Sequence, residues 1–248
     1  MKLALIAPPK YQWIPYIWRS GYHFVLAQYL DDPNYAGMYT ILRDAGHFLI
    51  LDNGAAEFGK SIDLEKLRAA YDLLQPDEII LPDSLGKGVE TMQLTHAAVH
   101  MFPRKKRAVV PQGRNWIEWE MCLNKLVSYG CATICVPKLY EGYKGGRLKA
   151  LKIIQKNRFY WDHNIHLLGC YDNPLEEIRR VRDMFPWVRG IDTAAPIAYA
   201  QQGKKIDDPE RASLDWDNPS ADHTLINENL RGCLLACLGV DTDAHNDN

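Results

Sequence analysis

Short, continuous runs of apolar residues recur along the chain, and segments with apolar residues at helical spacing separate them. The runs do not alternate with polar residues, which is typical of parallel strands that helices cover on both faces. The runs lie at residues 3–7, 23–30, 47–52, 78–83, 107–113, 132–137, 165–169 and 188–192. This βα pattern predicts an α/β fold, a single (β/α)8 TIM-like barrel, with a doubly wound sheet as the alternative.

The chain has 248 residues, enough for one barrel of this kind. We therefore expect a single domain over residues 1–240 and a disordered polar tail over 241–248. The segment ASLDW at 212–216 is a candidate closing strand. Ser61 and Asn173 are predicted to cap the helices that follow them.

Charge and cysteine content restrict the class of protein. A formal net charge of −2 argues against a nucleic-acid binder held by bulk charge, so any polynucleotide contact has to be local. Six cysteines without a secretory leader are expected to be reduced thiols. No apolar run approaches the roughly 20 residues of a membrane span. We expect a soluble, cytoplasmic protein with no membrane partner.

Polar side chains follow four of the predicted strands at their carboxyl ends. They are Asp52 with Asn53, Asp83, Gln112 with Gly113, and Asp192. In a (β/α)8 barrel these ends open onto one face, where barrel enzymes place their working residues. One aspartate there is usually a cap or turn former, but three with a glutamine indicate a site. Carboxylates in one cleft can divide the roles of nucleophile and acid or base that glycosyl transfer requires.

Five short motifs follow one another in a recognisable order. They are Asp-x-Gly-Ala, Pro-Asp-Ser, Pro-Gln-Gly, Leu-Gly-x-x-x-Asn-Pro-Leu-Glu and Gly-Ile-Asp. This order resembles the queuine and archaeosine tRNA-guanine transglycosylases, and especially their shorter phage relatives that insert 7-deazaguanines into DNA. The resemblance covers about residues 24–200.

The resemblance implies a reaction and two catalytic residues. Asp192 matches the nucleophile that traps the sugar C1′, and Asp52 matches the acid/base that exchanges a proton with the two bases. The implied activity replaces guanine in DNA by a free 7-deazaguanine base, without a cofactor. The reacting nucleotide must be single-stranded or extruded from a duplex. The same exchange on tRNA and a non-catalytic polynucleotide-binding barrel are the alternatives.

The resemblance also implies a base pocket. Asp83 matches the aspartate that reads guanine, Gln112 with Gly113 matches the segment that also holds the base, and Asn53 is expected beside them. A carboxylate accepts hydrogen bonds from N–H groups, whereas glutamine both donates and accepts, so the two types suit a guanine-like edge.

Three features depart from the family, and one of them is that we expect no tRNA-specific accessory domain. The sequence VPKLYEG stands where the family has Gly-Gly-Leu, and its Lys138 is either a phosphate or substrate contact or a solvated loop lysine. Of the family's zinc pattern after the nucleophile only Cys233 and Cys237 are present, at a helical spacing that suits a buried apolar face. We predict no bound metal and, with the short chain, DNA rather than tRNA as substrate.

Basic and aromatic segments are further candidates for polynucleotide contact. Four basic residues after the predicted strand at 132–137 are expected to reach phosphates. They are Lys144, Arg147, Lys149 and Lys152. The aromatic segment at 11–24 is expected either to stack on splayed bases or to plug the bottom of the barrel.

Overall fold

Eight parallel strands form a nearly closed barrel in the computed structural model, which describes residues 1–9, 14–142, 145–170, 173–218 and 220–240. The strands are β1 (Lys2–Leu5), β2 (Tyr22–Leu26), β3 (Phe48–Asp52), β4 (Glu78–Ile80), β5 (Arg107–Val109), β6 (Thr133–Pro137), β7 (Asn164–Leu168) and β8 (Val188–Thr193). They pair in the order β1-β8-β7-β6-β5-β4-β3-β2, and β1 packs beside β2. The predicted α/β (β/α)8 TIM-like barrel is confirmed.

Helices separate the strands and cover the outside of the barrel. They are α1 (Ile14–Ile17), α2 (Pro33–Asp44), α3 (Ala55–Phe58), α4 (Leu64–Leu74), α5 (Gly88–Ala98), α6 (Trp116–Ser128), α7 (Gly146–Lys156), α8 (Pro174–Met184), α9 (Ala195–Gln201) and α10 (His223–Leu238). Short 3-10 turns lie at 27–29, 99–101, 104–106, 138–142 and 159–161. Within the described residues, no helix has the length and apolar character that a membrane crossing needs.

Side-chain caps set where helices begin. Asn173 accepts a backbone N–H of α8 at 3.2 Å, and Pro174 takes the first helical position, so this predicted cap is confirmed. The prediction for Ser61 is wrong, because α4 begins later and Asp63 caps it at 2.9 Å. The Asp63 carboxylate also interacts favourably with the helix dipole.

Strand register brings the carboxyl ends to one rim. Ala4 in β1 lies opposite Asp192 in β8, and Leu26 in β2 lies opposite Asp52 in β3. Strands β3, β4 and β5 are consecutive neighbours, so the residues that follow them form a continuous arc. Strands four places apart in an eight-stranded barrel face each other, so the end of β4 faces the end of β8 across the mouth.

A buried ion pair fills the opposite end of the barrel. Arg189 donates to both carboxylate oxygens of Glu78 at 2.6 Å, and Thr133 donates to Glu78 at 2.7 Å. The Arg189 guanidinium lies 5.6 Å from the centre of the Tyr22 ring. Gly190 leaves room for this ring, since a Cβ there would lie 2.7 Å from it. Tyr22 therefore helps to plug the bottom of the barrel.

The aromatic segment at 11–24 divides between several surroundings, and its first three residues lie outside the described part of the chain. Tyr16 is buried, whereas Trp18 is 45% exposed. Tyr22 belongs to the bottom of the barrel, and Phe24 reaches the cavity at its mouth. The prediction that this segment plugs the bottom of the barrel is thus supported for Tyr22 and not for the whole segment.

The predicted closing strand at 212–216 is absent, and this part of the described chain is irregular. Strand β8 already pairs with β1, so it offers no free edge on that side to a further strand. Gln201 holds the segment instead, because its side chain donates to the carbonyl of Asp215 and accepts from the N–H of the same residue, both at 2.9 Å. The predicted tail at 241–248 lies outside the described residues.

Candidate active site

A cavity of about 600 Å³ opens at the mouth of the barrel. Six of the seven predicted site residues line it, namely Asp52, Asn53, Asp83, Gln112, Lys138 and Asp192. A volume of this size is within the usual range for sites that bind small molecules. The remaining lining is largely apolar, so water has few partners there and charges interact strongly.

Both carboxylate oxygens of Asp192 have hydrogen-bond partners. Oδ1 lies 2.9 Å from His166 Nε2, and Oδ2 accepts from the backbone N–H of Gly169 at 2.8 Å. Gly169 has a φ of 68°, a left-handed conformation that glycine adopts without strain. The side chain is therefore held in one orientation at the end of β8, and Asp192 is only 2% exposed.

Asp52 is oriented by the turn that follows β3. Its Oδ2 accepts from the backbone N–H of Gly54 at 3.0 Å. Gly54 has a φ of 76°, and a Cβ at this position would lie 2.9 Å from the Ile62 side chain. A glycine is needed here for both reasons, and the turn directs the Asp52 carboxylate into the cavity.

The pKa of the Cys135 thiol depends on its burial and on the charged groups inside the barrel. Burial raises its pKa well above the ordinary value of 9.0, and the negative charges of Glu78, Asp192 and Asp52 raise it further. A thiol in this environment stays protonated, which excludes Cys135 as a nucleophile.

Asp83 lies between two amide side chains. Its Oδ1 accepts from Asn53 Nδ2 and its Oδ2 accepts from Gln112 Nε2, both at 2.7 Å. Burial raises the pKa of this carboxyl from 3.8 to about 6, although the two hydrogen bonds act in the opposite direction. Near neutral pH Asp83 is mostly ionised, and each of its oxygens has a further lone pair for a ligand N–H.

The contacts of Gln112 fix which way its amide points. Gly86 donates its backbone N–H to Gln112 Oε1 at 3.0 Å. The hydroxyl of Tyr140 lies 3.0 Å from the same oxygen and 3.1 Å from the Pro111 carbonyl, so its single hydrogen is shared between two acceptors. The nitrogen must then face Asp83, since the Gly86 N–H requires an oxygen and the Asp83 carboxylate accepts from a nitrogen. One N–H of Nε2 serves Asp83, which leaves the other for a further acceptor.

The Asn53 side chain uses its hydrogen bonds within the protein and orients Asp83. Its Nδ2 donates to the Leu81 carbonyl at 2.9 Å as well as to Asp83, which uses both hydrogens of the amide. Its Oδ1 accepts from the N–H of Ala55 at 2.8 Å. Asn53 therefore acts on a ligand through the orientation of Asp83.

Lys138 and Gly113 occupy different positions relative to the cavity. Lys138 is exposed at the rim, and its aliphatic stem lies over Gly169, where a Cβ would be 3.1 Å from Lys138 Cδ. Gly113 instead packs beneath α6, and a Cβ there would lie 2.4 Å from the backbone nitrogen of Trp119. Its small size thus serves the close approach of the β5 loop to α6.

Of the basic residues predicted to contact phosphate, Lys144 lies outside the described residues, and the prediction for Arg147 is wrong. Arg147 is 1% exposed and forms an ion pair with the buried Glu177. It also donates to the carbonyls of Leu168 at 3.0 Å and Gly169 at 2.9 Å. The guanidinium thereby holds the end of β7, including the glycine whose N–H binds the Asp192 carboxylate.

Several residues of the site carry no signal in the sequence that pointed to them. His166 showed no metal-ligand pattern, but it lies on β7 two residues before Leu168, which lines the cavity, so period-two alternation directs it inward. Tyr140 follows β6, and nothing in the sequence around it indicated a role for its hydroxyl. Residues 211–214 and Trp216 form one wall of the cavity, whereas the sequence suggested a closing strand at 212–216 and no part in the site.

Among the described residues, no group of three or more histidine, cysteine, aspartate or glutamate side chains is arranged to hold a metal ion. Cys233 and Cys237 lie on the buried face of α10, where burial raises the pKa of both thiols. This burial agrees with the predicted apolar face. The absence of zinc from the purified protein stays a prediction.

Comparison of the sequence with models of known protein families gives no match, and comparison with curated protein sequences gives none. The function therefore has to be inferred from the cavity and its side chains.

Proposed function

We propose that this chain is a guanine transglycosylase that exchanges guanine in DNA for a 7-deazaguanine base through a covalent aspartyl–nucleoside intermediate. One observation carries the proposal. Three buried aspartates from three strand ends share one cavity, and their surroundings differ: Asp192 and Asp52 each accept a backbone N–H, whereas Asp83 is held between two amides. Such a division of carboxylates suits nucleophile, acid/base and base reader.

The proposed first step uses Asp192 and Asp52. An Asp192 oxygen forms a bond to C1′ while the C1′–N9 bond to guanine breaks and its electron pair goes to the base. The base takes a proton from the Asp52 carboxyl. In the second step the incoming 7-deazaguanine gives its N9 proton to Asp52 and forms a bond to C1′, and Asp192 leaves as a carboxylate. Two inversions at C1′ give overall retention.

Asp83 and Gln112 are assigned to base recognition. Ionised Asp83 accepts from the N1–H and amino groups of guanine, and Gln112 donates its second N–H to the carbonyl. A base without this donor pattern leaves the buried Asp83 carboxylate without hydrogen bonds from the ligand. The free-energy cost is larger than that of losing a contact that is exposed to water. The arc formed by β3, β4 and β5 therefore supplies selectivity, while β8 on the facing wall supplies the nucleophile.

DNA is favoured over tRNA by the resemblance to the short phage enzymes. A polynucleotide-binding barrel without activity would have no need for an aspartate whose two oxygens are both positioned at a cavity wall. The six cysteines are free in the structure, which suits the reducing cytoplasm where DNA is modified. Lys138 at the rim is a candidate contact for a phosphate next to the extruded nucleotide.

The test is base exchange with labelled guanine or a labelled 7-deazaguanine, offered together with guanine-containing DNA and tRNA. We expect label in DNA with the wild-type protein and none with Asp192→Ala. The matched control is Asp162→Asn, which removes an exposed aspartate at the amino end of β7, opposite the carboxyl ends that form the site, and should leave exchange intact. Exchange by Asp192→Ala at the wild-type rate contradicts the mechanism, and label in tRNA alone rejects DNA as the substrate.

A further inference from the structure

A hydrogen-bonded chain runs from the barrel interior to the proposed nucleophile. The hydroxyl of Tyr22 lies 2.8 Å from His166 Nδ1, and His166 Nε2 lies 2.9 Å from Asp192 Oδ1. All three side chains are at most 2% exposed. His166 does not line the cavity, so it reaches a bound nucleotide only through Asp192.

The chemistry of the partners determines where the protons are. An ionised carboxylate only accepts, so His166 Nε2 carries the hydrogen shared with Asp192. In the neutral ring, Nδ1 is then the acceptor, and Tyr22 donates its hydroxyl proton to it. Burial raises the pKa of Tyr22 above the ordinary value of 10.0, which keeps the phenol protonated and able to donate.

Packing fixes the plane of the imidazole. The ring of Phe24 stacks on His166 at 5.9 Å between centroids with 10° between the planes, and the Tyr22 ring contacts it at 5.7 Å. The ring cannot rotate without losing both this stacking and two buried hydrogen bonds. His166 therefore presents one N–H to Asp192 in a fixed direction.

We propose that His166 is a positioning residue that donates its Nε2–H to the Asp192 carboxylate and holds it in one orientation, and that Tyr22 sets the tautomer in which His166 can do so. The hydrogen bond stabilises the carboxylate more than the carboxylic acid. It therefore favours the form that attacks C1′ and the form that departs when the incoming base reacts. The catalytic consequence rests on the proposed transglycosylase function, whereas the effect on the Asp192 charge does not.

The first test needs no substrate. We would follow carbon NMR signals of labelled aspartate in a pH titration, with Asp192→Asn to assign the signal. His166→Phe keeps an aromatic ring without the donor, and His166→Gln keeps an N–H. We expect the midpoint of the Asp192 titration to rise by about one to two pH units in His166→Phe and by about half of that or less in His166→Gln. A midpoint unchanged in folded His166→Phe overturns the proposal.

Nitrogen NMR of the histidine rings provides the second test and uses the wild-type protein, so it does not depend on a variant that folds. We expect His166 to be the Nε2–H tautomer in the wild type and a mixture of tautomers in Tyr22→Phe. A wild-type ring protonated only on Nδ1 contradicts the proposal, because that tautomer cannot donate to Asp192.

Single-turnover formation of the protein–DNA adduct gives the catalytic readout. We expect a rate about 10²-fold lower in His166→Phe, with its acid limb displaced to higher pH, and a loss within about tenfold in His166→Gln. Equal losses in both variants with unchanged pH profiles indicate a packing role and reject the proposal. If the wild type forms no adduct, the proposed function fails, and the two NMR measurements still decide the role of His166.

Discussion

Replacing Asp83 by asparagine should change how the stability of the protein depends on pH. The Asp83 carboxyl is 2% exposed, and its hydrogen-bond partners are the neutral amides of Asn53 and Gln112. Without a positive partner, burial dominates and raises the pKa from 3.8 to about 6. The substitution removes this ionisable group and keeps the volume of the side chain.

The sign of the effect follows from proton binding. The folded chain holds the Asp83 proton at pH values where the unfolded chain has lost it. Protonation of Asp83 thus contributes stability that is fully present below pH 3.8 and is lost as the pH rises through about 6. A pKa difference of about two, at about 1.4 kcal/mol for each pKa unit, corresponds to about 3 kcal/mol.

The assay is urea unfolding of the wild type and Asp83→Asn between about pH 4 and pH 8. The asparagine cannot offer an oxygen to both neighbouring amides, which costs about 1–3 kcal/mol at every pH. In addition to this constant cost, the free energy of unfolding of the variant should rise by about 3 kcal/mol relative to that of the wild type as the pH rises. Asp162→Asn, at an exposed aspartate, controls for the general effect of removing a carboxylate.

A difference between Asp83→Asn and the wild type that stays constant across this range would refute the reasoning about Asp83. A difference that grows in the opposite direction would show that Asp83 has a favourable charge partner in the folded chain.

Further predictions concern the structure around the site and its selectivity. Arg147→Met should lower the free energy of unfolding by about 3–5 kcal/mol, since the buried Glu177 loses the Arg147 guanidinium. Replacing Glu177 by leucine in the same chain should restore most of this stability. Gly113→Ala should cost about 1–3 kcal/mol because backbone lies against the new methyl group, whereas Gly142→Ala, in open space, should cost far less in the same unfolding assay. Gln112→Ala should lose most of its preference for guanine over adenine in base competition, and an unchanged preference would mean that Gln112 does not read the base. Elemental analysis should find no stoichiometric zinc, and one zinc per chain would overturn that prediction.

The barrel could be predicted from the sequence because its signal is local. Runs such as the one ending at Asp52 are apolar throughout, which occurs when helices cover both faces of a parallel strand. Once eight such runs alternate with helices, the topology itself brings Asp52, Asp83 and Asp192 to one rim. The six polar residues at this rim that line the cavity could therefore be predicted without knowledge of any single contact, whereas the wall formed by residues 211–214 and Trp216 could not.

The wrong or missing predictions concern residues whose environment depends on distant parts of the chain. Arg147 follows a glycine-containing loop, as solvated basic residues often do, and its partner Glu177 lies on α8. His166 is one histidine in an apolar strand, and its importance depends on Tyr22 and Asp192 from strands far away in sequence. Local pattern does not determine such pairings.

The most direct test of the central claim is to find the covalent bond to Asp192. Wild-type protein would react with a guanine-containing DNA oligonucleotide without an incoming base, be denatured, and be digested for mass spectrometry. We expect a nucleoside-linked mass on the peptide that contains Asp192, lost in Asp192→Asn, kept in Asp162→Asn and discharged when a 7-deazaguanine is added before denaturation. An adduct on another residue, or base exchange that proceeds with no adduct at Asp192, would contradict the assignment of Asp192 as the nucleophile.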